Sequence, residues 1–319
     1  MLTKKKLGSS GVEISEIILG CWVMGGERWG GADDKESIDA IHAAISIGMN
    51  TLDTAEAYNN GYSEEIIGKA VKGRTHDVVI SSKVQDNHQA KEDVVAACER
   101  SLRRLGRDYI DLYFLHWPSD YFGGAYVPLE ETMEAMARLK REGKIRAIGL
   151  SNFSKEQFEV AGAVERIDAY QPPFSLLWRR AEAEMLPYCM EKNISVVPYS
   201  PLAQGLLSGK FNANHVFPEG DTRGETPLFQ PENFRRAVAL TERLRPVAEQ
   251  YGKTLAQLAL RWTAQVPGVT APICGGRRRD QVLENAGGAG WVLAAEDFAA
   301  MDALSREFCA ALPNYKDFF

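Results

Sequence analysis

The feature that most constrains this 319-residue chain is an alternation repeated along its length. A short apolar run rich in Ile and Val is followed each time by a longer stretch with helical spacing. The runs are Ile17–Gly20, Asn50–Leu52, Val78–Ser82, Ile110–Leu115, Ile145–Leu150, Ala169–Gln171, Ile194–Pro198 and Val269–Ile273. Such near-continuous apolar strands suit a parallel sheet buried on both faces. Between them, Ile38, Ile41 and Ile45 form one helical stripe, and Val95, Cys98, Leu102 and Leu105 another. Ser154 with Gln157, and Thr254 with Gln257, have capping-box spacing at helix starts. Eight β–α units in one chain predict an α/β fold of the (β/α)8 TIM barrel type, one domain over 1–319, rather than an open doubly wound sheet. Lys4–Leu7 and Val12–Ile14, joined through Gly8 and Gly11, predict an N-terminal β-hairpin closing the barrel bottom. A long irregular loop, Ala203 to Gln230, precedes the last strand, and a structureless insertion of that length in a compact domain is usually functional. Further helical patterns predict extra helices toward the C-terminus.

Composition narrows the partners. The formal net charge of −6 argues against nucleic acid, which needs a broad basic field. It leaves room for a small anion, which needs only a local cluster of Lys and Arg. The five cysteines, Cys21, Cys98, Cys189, Cys274 and Cys309, are widely spaced with no CxxC, which fits reduced thiols better than disulfides or a zinc site. Cys98 falls within a helical stripe and is expected in the core. Met1 to Lys6 is basic without an apolar segment after it, and no apolar run approaches the roughly 20 residues of a membrane span. A cytoplasmic protein without a membrane partner is expected.

In such a barrel the chemistry sits at the C-terminal ends of the strands. Asp53 and Tyr58 follow the second run, Lys83 ends the third and His116 ends the fourth. Together these four make a proton-transfer set. Carbonyl reduction needs a hydride on carbon and a proton on the developing alkoxide. A tyrosine hydroxyl can give the proton, and a neighbouring ammonium is expected to lower its pKa from about 10. A carboxylate would hold that ammonium charged, and an imidazole could hydrogen-bond the carbonyl oxygen. Taken singly, each residue has a plainer role in packing, capping or solvation. Their joint arrival at one rim is what points to chemistry. No His/Cys/Asp cluster has metal-ligand spacing, so no metal is expected.

Five segments carry a resemblance to a known family. Asn50–Tyr58 with Gly61–Gly68 resembles the first signature of the aldo-keto reductase superfamily, and Asp111–His116 its second. Arg146–Phe153, Pro198–Gly205 and Gly275–Asn285 are similar to its nicotinamide-facing, seventh-strand and eighth-strand segments. The nearest resemblance is to bacterial general-stress and inositol-operon oxidoreductases and to the β-subunits of voltage-gated potassium channels. It implies an NADP(H)-dependent oxidoreductase of the alcohol dehydrogenase/carbonyl reductase type. The substrate would be a small aldehyde, ketone or sugar-like carbonyl. Asp53, Tyr58, Lys83 and His116 would be catalytic, with Tyr58 the proton donor. Ser151, Asn152 and Gln171 would bond the nicotinamide amide, and Tyr199 would stack on its ring. Cys21, Trp22 and Asp53 would also approach the cofactor, as would the turn Ser200, Pro201, Leu202, Gln204 and Gly205.

The cofactor's far end can be placed as well. No GxGxxG opens a helix, so a Rossmann site is not indicated. Gly275 and Gly276 instead lead into Arg277, Arg278 and Arg279 after the eighth run, where barrels often hold phosphate at a helix N-terminus. Three cations there oppose the helix dipole, so an anion is expected to balance them. The resemblance assigns Arg277 and Gln281 to the 2′-phosphate end, Glu284 and Asn285 to adenine, and Lys210 and Arg223 to clamping phosphates. Cys274 stands where many relatives carry Pro. Trp22 is expected in a substrate pocket with Tyr58, His116 and Trp117. Trp29, Trp117 and Phe153 either line that pocket or pack the loops, and the tail from Leu312 to Phe319 either covers it or hangs free.

Two rival readings come from other classes. One is an NADPH-binding, redox-sensing subunit of a partner protein with little turnover. The other is a barrel aldolase or isomerase using Lys83 as a Schiff base, which Asp53 disfavours by keeping the amine protonated.

Overall fold

Lys4–Lys6 (β1) and Glu13–Ser15 (β2) pair antiparallel, joined by a turn in which Gly8 and Gly11 take φ of +52° and +77°. A side chain is strained in that left-handed region, so glycine is required there. The structure is a computed structural model, and it describes residues 1–26, 33–74, 77–217 and 221–312.

The remaining strands alternate with helices. They are Ile18–Gly20 (β3), Thr51–Asp53 (β4), Val79–Val84 (β5), Ile110–Leu115 (β6), Ile145–Ser151 (β7), Ala169–Gln171 (β8), Ser195–Val196 (β9) and Ile273–Gly275 (β10). The helices are Asp34–Ser46 (α1), Tyr62–Ala70 (α2), Lys91–Leu105 (α3), Leu129–Arg141 (α4), Lys155–Val164 (α5), Met185–Glu191 (α6), Pro231–Gln250 (α7), Leu255–Gln265 (α8), Arg279–Ala286 (α9) and Ala295–Ala310 (α10). All pairings from β10 through β3 to β9 are parallel. Parallel bridges from Val196 to Val269 and from Tyr199 to Ile273 join the two edges, so the sheet closes into the expected barrel.

The closing seam is short for a stated reason. Pro198 and Pro272 lie in it and have no N–H to give, so isolated bridges replace a continuous ladder. The eighth run was expected over Val269–Ile273, and the regular strand instead begins at Ile273. The third run extends further than expected, through Lys83 to Val84.

Two layers of apolar side chains hold the barrel. Leu7, Val12 and Ile14 of the hairpin enter its bottom and meet Ile18, Leu112, Phe114, Ala169, Val197 and Ile273. The larger core lies between sheet and helices and includes Cys98 and Leu105 of α3. Both expected capping boxes form, at Ser154 and at Thr254. The long loop contains the 3-10 turns Ala203–Ser208, Thr222–Glu225 and Pro227–Phe229 before α7 begins. Residues 218–220 of it, Trp29 and the tail 313–319 lie outside the described residues. Among the described residues no helix is long and apolar enough to cross a membrane.

The interior leaves little slack. A Cβ on Gly149 of β7 would collide with the ring of Phe114, which is 0 % exposed. Gly149→Ala should therefore destabilise the barrel by about 1–3 kcal/mol through overpacking. Urea unfolding checks this; an unchanged midpoint would mean that Phe114 has room to move.

Candidate active site

Parallel register places Asp53 at the end of β4, Lys83 near the end of β5 and His116 just past β6, all on one rim. Tyr58 comes to the same rim on the loop between β4 and α2. Lys83 is 0 % exposed, and its ammonium donates to Asp53 Oδ1 at 2.6 Å, to the Thr54 carbonyl at 2.7 Å and to Tyr58 Oη at 3.2 Å. An ammonium has three donors, and these contacts use all of them. The phenol oxygen therefore accepts from Lys83, which leaves the phenol's own proton to point elsewhere. Asp53 Oδ2 accepts from Ser81 Oγ at 2.8 Å and from Gln171 Nε2 at 2.9 Å.

The electrostatics follow from this packing. Burial pulls the Lys83 pKa down, but the Asp53 carboxylate and the hydrogen bonds outweigh it, and the net shift is upward. For Tyr58 the expected lowering is reversed. Burial raises its pKa more than the Lys83 charge lowers it, so the phenol stays protonated at neutral pH. His116 is held well below its ordinary range, first by burial and then by Lys83. Its ring stands edge-on to Tyr58, with centroids 5.8 Å apart.

Beside this cluster runs a connected polar chain. Ser151 Oγ donates to the Gln171 carbonyl at 2.8 Å, Asn152 Nδ2 donates to Ser151 Oγ at 3.0 Å, and Tyr199 Oη donates to Asn152 Oδ1 at 2.9 Å. Cys21 is buried and its N–H donates to the Asp53 carbonyl at 2.8 Å; half-buried Trp22 opens the 3-10 turn that follows. After β9 the backbone is strained: Ser200, Ala203 and Gln204 have φ of +57°, +46° and +55°. Non-glycine residues in that region cost about 1–3 kcal/mol each and cluster at ligand sites. Gln204 Oε1 is buried without a hydrogen-bond partner among the described residues. Pro201, Leu202 and Gly205 complete this turn, and Lys210 packs against Gly205.

Farther out, three cations converge. Burial and the charges of Arg223 and Arg277 lower the Lys210 pKa, while burial, Arg223 and Arg278 lower that of Arg277. Such mutual repulsion is what a bound polyanion would relieve. Arg223 forms a forked pair with Asp221 and donates to the Gln204 carbonyl at 3.2 Å. The Lys210 and Arg223 cations also lie over the ring of Phe211, 4.9 Å and 5.4 Å from its centroid. The arginine run divides: Arg278 pairs with Asp280 and Arg279 with Asp39, while the Arg277 guanidinium is half-buried and feels the charge of Arg223. Gln281 Oε1 accepts the Arg277 N–H at 2.9 Å, and Asn285 Nδ2 donates to the carbonyl of Gly275 at 3.0 Å, with Gly276 against Val282. Glu284 is exposed on α9. Cys274 is buried, its thiol pushed up to about 12 by burial, and is inert at neutral pH.

On the opposite side the Trp117 ring packs against that of Tyr121, tilted by 31° with centroids 4.4 Å apart, and lies 6.4 Å from the His116 ring. Phe153 instead belongs to the core between sheet and helices, because it faces inward from the turn after β7. Ser81 and Asp221 were not anticipated from sequence. Ser81 stands two residues before Lys83, hence on the same face of β5, which strand periodicity could have revealed. Asp221 stands two before Arg223 in a loop without periodicity. Among the described residues no group of three or more His, Cys, Asp or Glu could hold a metal.

The chain matches the aldo/keto reductase family profile over residues 16–306. It is 40% identical over 302 residues to Aldo-keto reductase YhdN of Bacillus subtilis, spanning 91% of this chain and 90% of that protein. Its fold is similar to that of the glycerol dehydrogenase AKR11B4 from Gluconobacter oxydans, with a TM-score of 0.89 and 33% identity over 99% of this chain and 98% of that one. It is also similar to an aldo-keto reductase from Klebsiella pneumoniae solved with NADPH, with a TM-score of 0.77 and 32% identity over 100% of this chain and 99% of that one.

The depressed His116 pKa has a measurable consequence. The folded ring should remain neutral at about pH 6, where an ordinary histidine, with a pKa near 6.5, is mostly charged. The unfolded chain binds a proton there that the folded ring refuses, so His116 costs stability as pH falls below about 6.5. A ¹⁵N NMR titration checks this, and an imidazolium signal from His116 at pH 6 would refute it.

Proposed function

This chain belongs to the aldo/keto reductase family, and we propose that it is an NADP(H)-dependent enzyme reducing the carbonyl of small aldehydes, ketones or sugar-like substrates to alcohols. The observation that carries this reading is the saturated ammonium of Lys83, which leaves the Tyr58 proton as the one available for transfer.

The residues divide the work. Tyr58 gives its proton to the oxygen that becomes the alkoxide, forming the alcohol's O–H. Lys83 already touches the phenol oxygen and stabilises the tyrosinate that remains until solvent returns a proton. Asp53 keeps that ammonium charged. Neutral His116 donates a hydrogen bond to the carbonyl oxygen, orients it and offsets the charge growing there. Trp22 and Trp117 flank the pocket and exclude water. NADPH, when bound, supplies the hydride that reduces the carbonyl carbon.

The donor set fits that cofactor. The crowded cations Lys210, Arg223 and Arg277 suit its phosphates, and the unpartnered Gln204 Oε1 suits a donor from it. Ser151, Asn152 and Gln171 would hold the carboxamide, Tyr199 the ring, and Gln281, Glu284 and Asn285 the adenosine end. The Klebsiella pneumoniae relative, solved with NADPH, supports the same cofactor here.

Two measurements test this. Tyr58→Phe should lower carbonyl reduction by about 10²–10⁴-fold, the usual contribution of a general acid, with NADPH affinity nearly unchanged. Near-normal turnover in a screen following NADPH absorbance would remove Tyr58 from its role. The wild type should prefer NADPH to NADH. Arg277→Ala should weaken NADPH binding by about one to two decades, the loss of a charge-assisted hydrogen bond, and spare NADH. An equal loss for both cofactors, read by fluorescence quenching, would place Arg277 at a shared group instead.

A further inference from the structure

The loop after β4 and the first turn of α2 carry Tyr58 and two buried carboxylates that the chemistry above does not use, Glu56 in the loop and Glu64 in the helix. Glu56 is 4 % exposed and Glu64 is 0 % exposed. Each meets an arginine from one face of α3. Arg100 Nη2 donates to Glu56 Oε2 at 3.1 Å, and Arg104 Nη1 donates to Glu64 Oε2 at 3.1 Å. Residues four apart on a helix share a face, so α3 grips the segment on either side of Tyr58.

Their free oxygens reach back to β5. Glu56 Oε1 accepts from the N–H of Gln85 at 3.1 Å and lies 3.0 Å from His88 Nδ1, while the Glu56 N–H donates to the Lys83 carbonyl at 3.2 Å. Glu64 Oε1 accepts from Ser82 Oγ at 2.6 Å. Glu56 thus ties three pieces together: the Tyr58 loop, the end of the strand that carries Lys83, and α3.

Stability alone gives little reason for the Glu56 pair. A buried ion pair contributes near zero net stability compared with apolar groups of similar size. The loop is held in any case by Glu64 and by Thr54 Oγ1 donating to Ser63 Oγ at 2.9 Å. What Glu56 adds is registry between Tyr58 and Lys83. Their contact, at 3.2 Å, is the longest of the three that the ammonium makes. A displacement of about 1 Å in such a group costs on the order of 100-fold in rate.

We propose that Glu56, held by Arg100, is a positioning residue for the proton donor: it fixes Tyr58 against Lys83 by binding the loop two residues upstream to the end of β5. This rests on Tyr58 being the donor, and the test separates the two claims. The variants are Glu56→Gln, Arg100→Gln, Tyr58→Phe and the double variant Glu56→Gln/Tyr58→Phe. The readouts are reduction of 4-nitrobenzaldehyde with NADPH, NADPH affinity by fluorescence quenching, and the solvent deuterium isotope effect. Glu56→Gln should lower kcat by about tenfold, less than a full 1 Å displacement would. NADPH affinity should stay within about twofold, and the isotope effect should rise as proton transfer becomes slower. In the Tyr58→Phe background the same change should cost nothing, because residues that act through one another are non-additive. Arg100 is one-third exposed, so Arg100→Gln should fold and carry the same signature if Glu56→Gln does not. An unchanged kcat in either folded variant overturns the proposal. So does an equal loss in both backgrounds, or a parallel loss of cofactor affinity. Normal turnover in Tyr58→Phe overturns the assignment of the donor, and the role of Glu56 with it.

Discussion

A fully buried ammonium governs this structure. Taking an ion such as that of Lys83 out of water costs several kcal/mol even after relaxation, so it must be matched by acceptors already in place. Asp53, the Thr54 carbonyl and Tyr58 provide them. None of the three can be moved independently. Asp53 is itself held by Ser81 from β5 and Gln171 from β8, which fixes the strand ends relative to one another. The same contacts make the Tyr58 phenol an acceptor from Lys83, with its own proton directed away from the ammonium.

The other end of the rim follows the opposite logic. Lys210, Arg223 and Arg277 crowd together, and Asp221 is the carboxylate that moderates their repulsion. The two poles differ in how they are held. Lys83 is fixed by strands, whose geometry a closed barrel determines. The outer cations ride on the loop after β9 and the turn before α9, with Phe211 under Lys210 and Arg223. The polar cluster around Lys83 and the outer cations are therefore built independently, one on strands and the other on loops.

Much of this was legible beforehand because barrel strands are local signals. A run buried on both faces shows its apolar character within five or six residues, so β6 and β8 were placed to the residue. Capping boxes depend on residues three apart and were equally readable at Ser154 and Thr254. The eighth run, Val269–Ile273, meets the sheet only at a bridge from Val269 and at Ile273, because Pro272 interrupts the ladder and apolar character does not report a missing donor. Phe153 could be assigned to pocket or core only once the turn after β7 fixed its direction. The tyrosine pKa was expected to fall because its charged neighbour was visible in the chain. The burial that outweighs it was not visible.

By itself, the sequence determined the βα rhythm, the hairpin, and the four residues delivered to one rim. These follow from periodicity and from the rule that strand ends of a barrel converge. The tertiary structure alone decided which hydrogen bond each of those residues makes, that Ser81 and Gln171 hold Asp53, that Arg278 and Arg279 pair with Asp280 and Asp39, and that Arg100 reaches Glu56. Apart from the Arg278 pair, these are contacts between residues far apart in the chain. Their distances are set by the closure and twist of the whole sheet, a property that no local segment encodes.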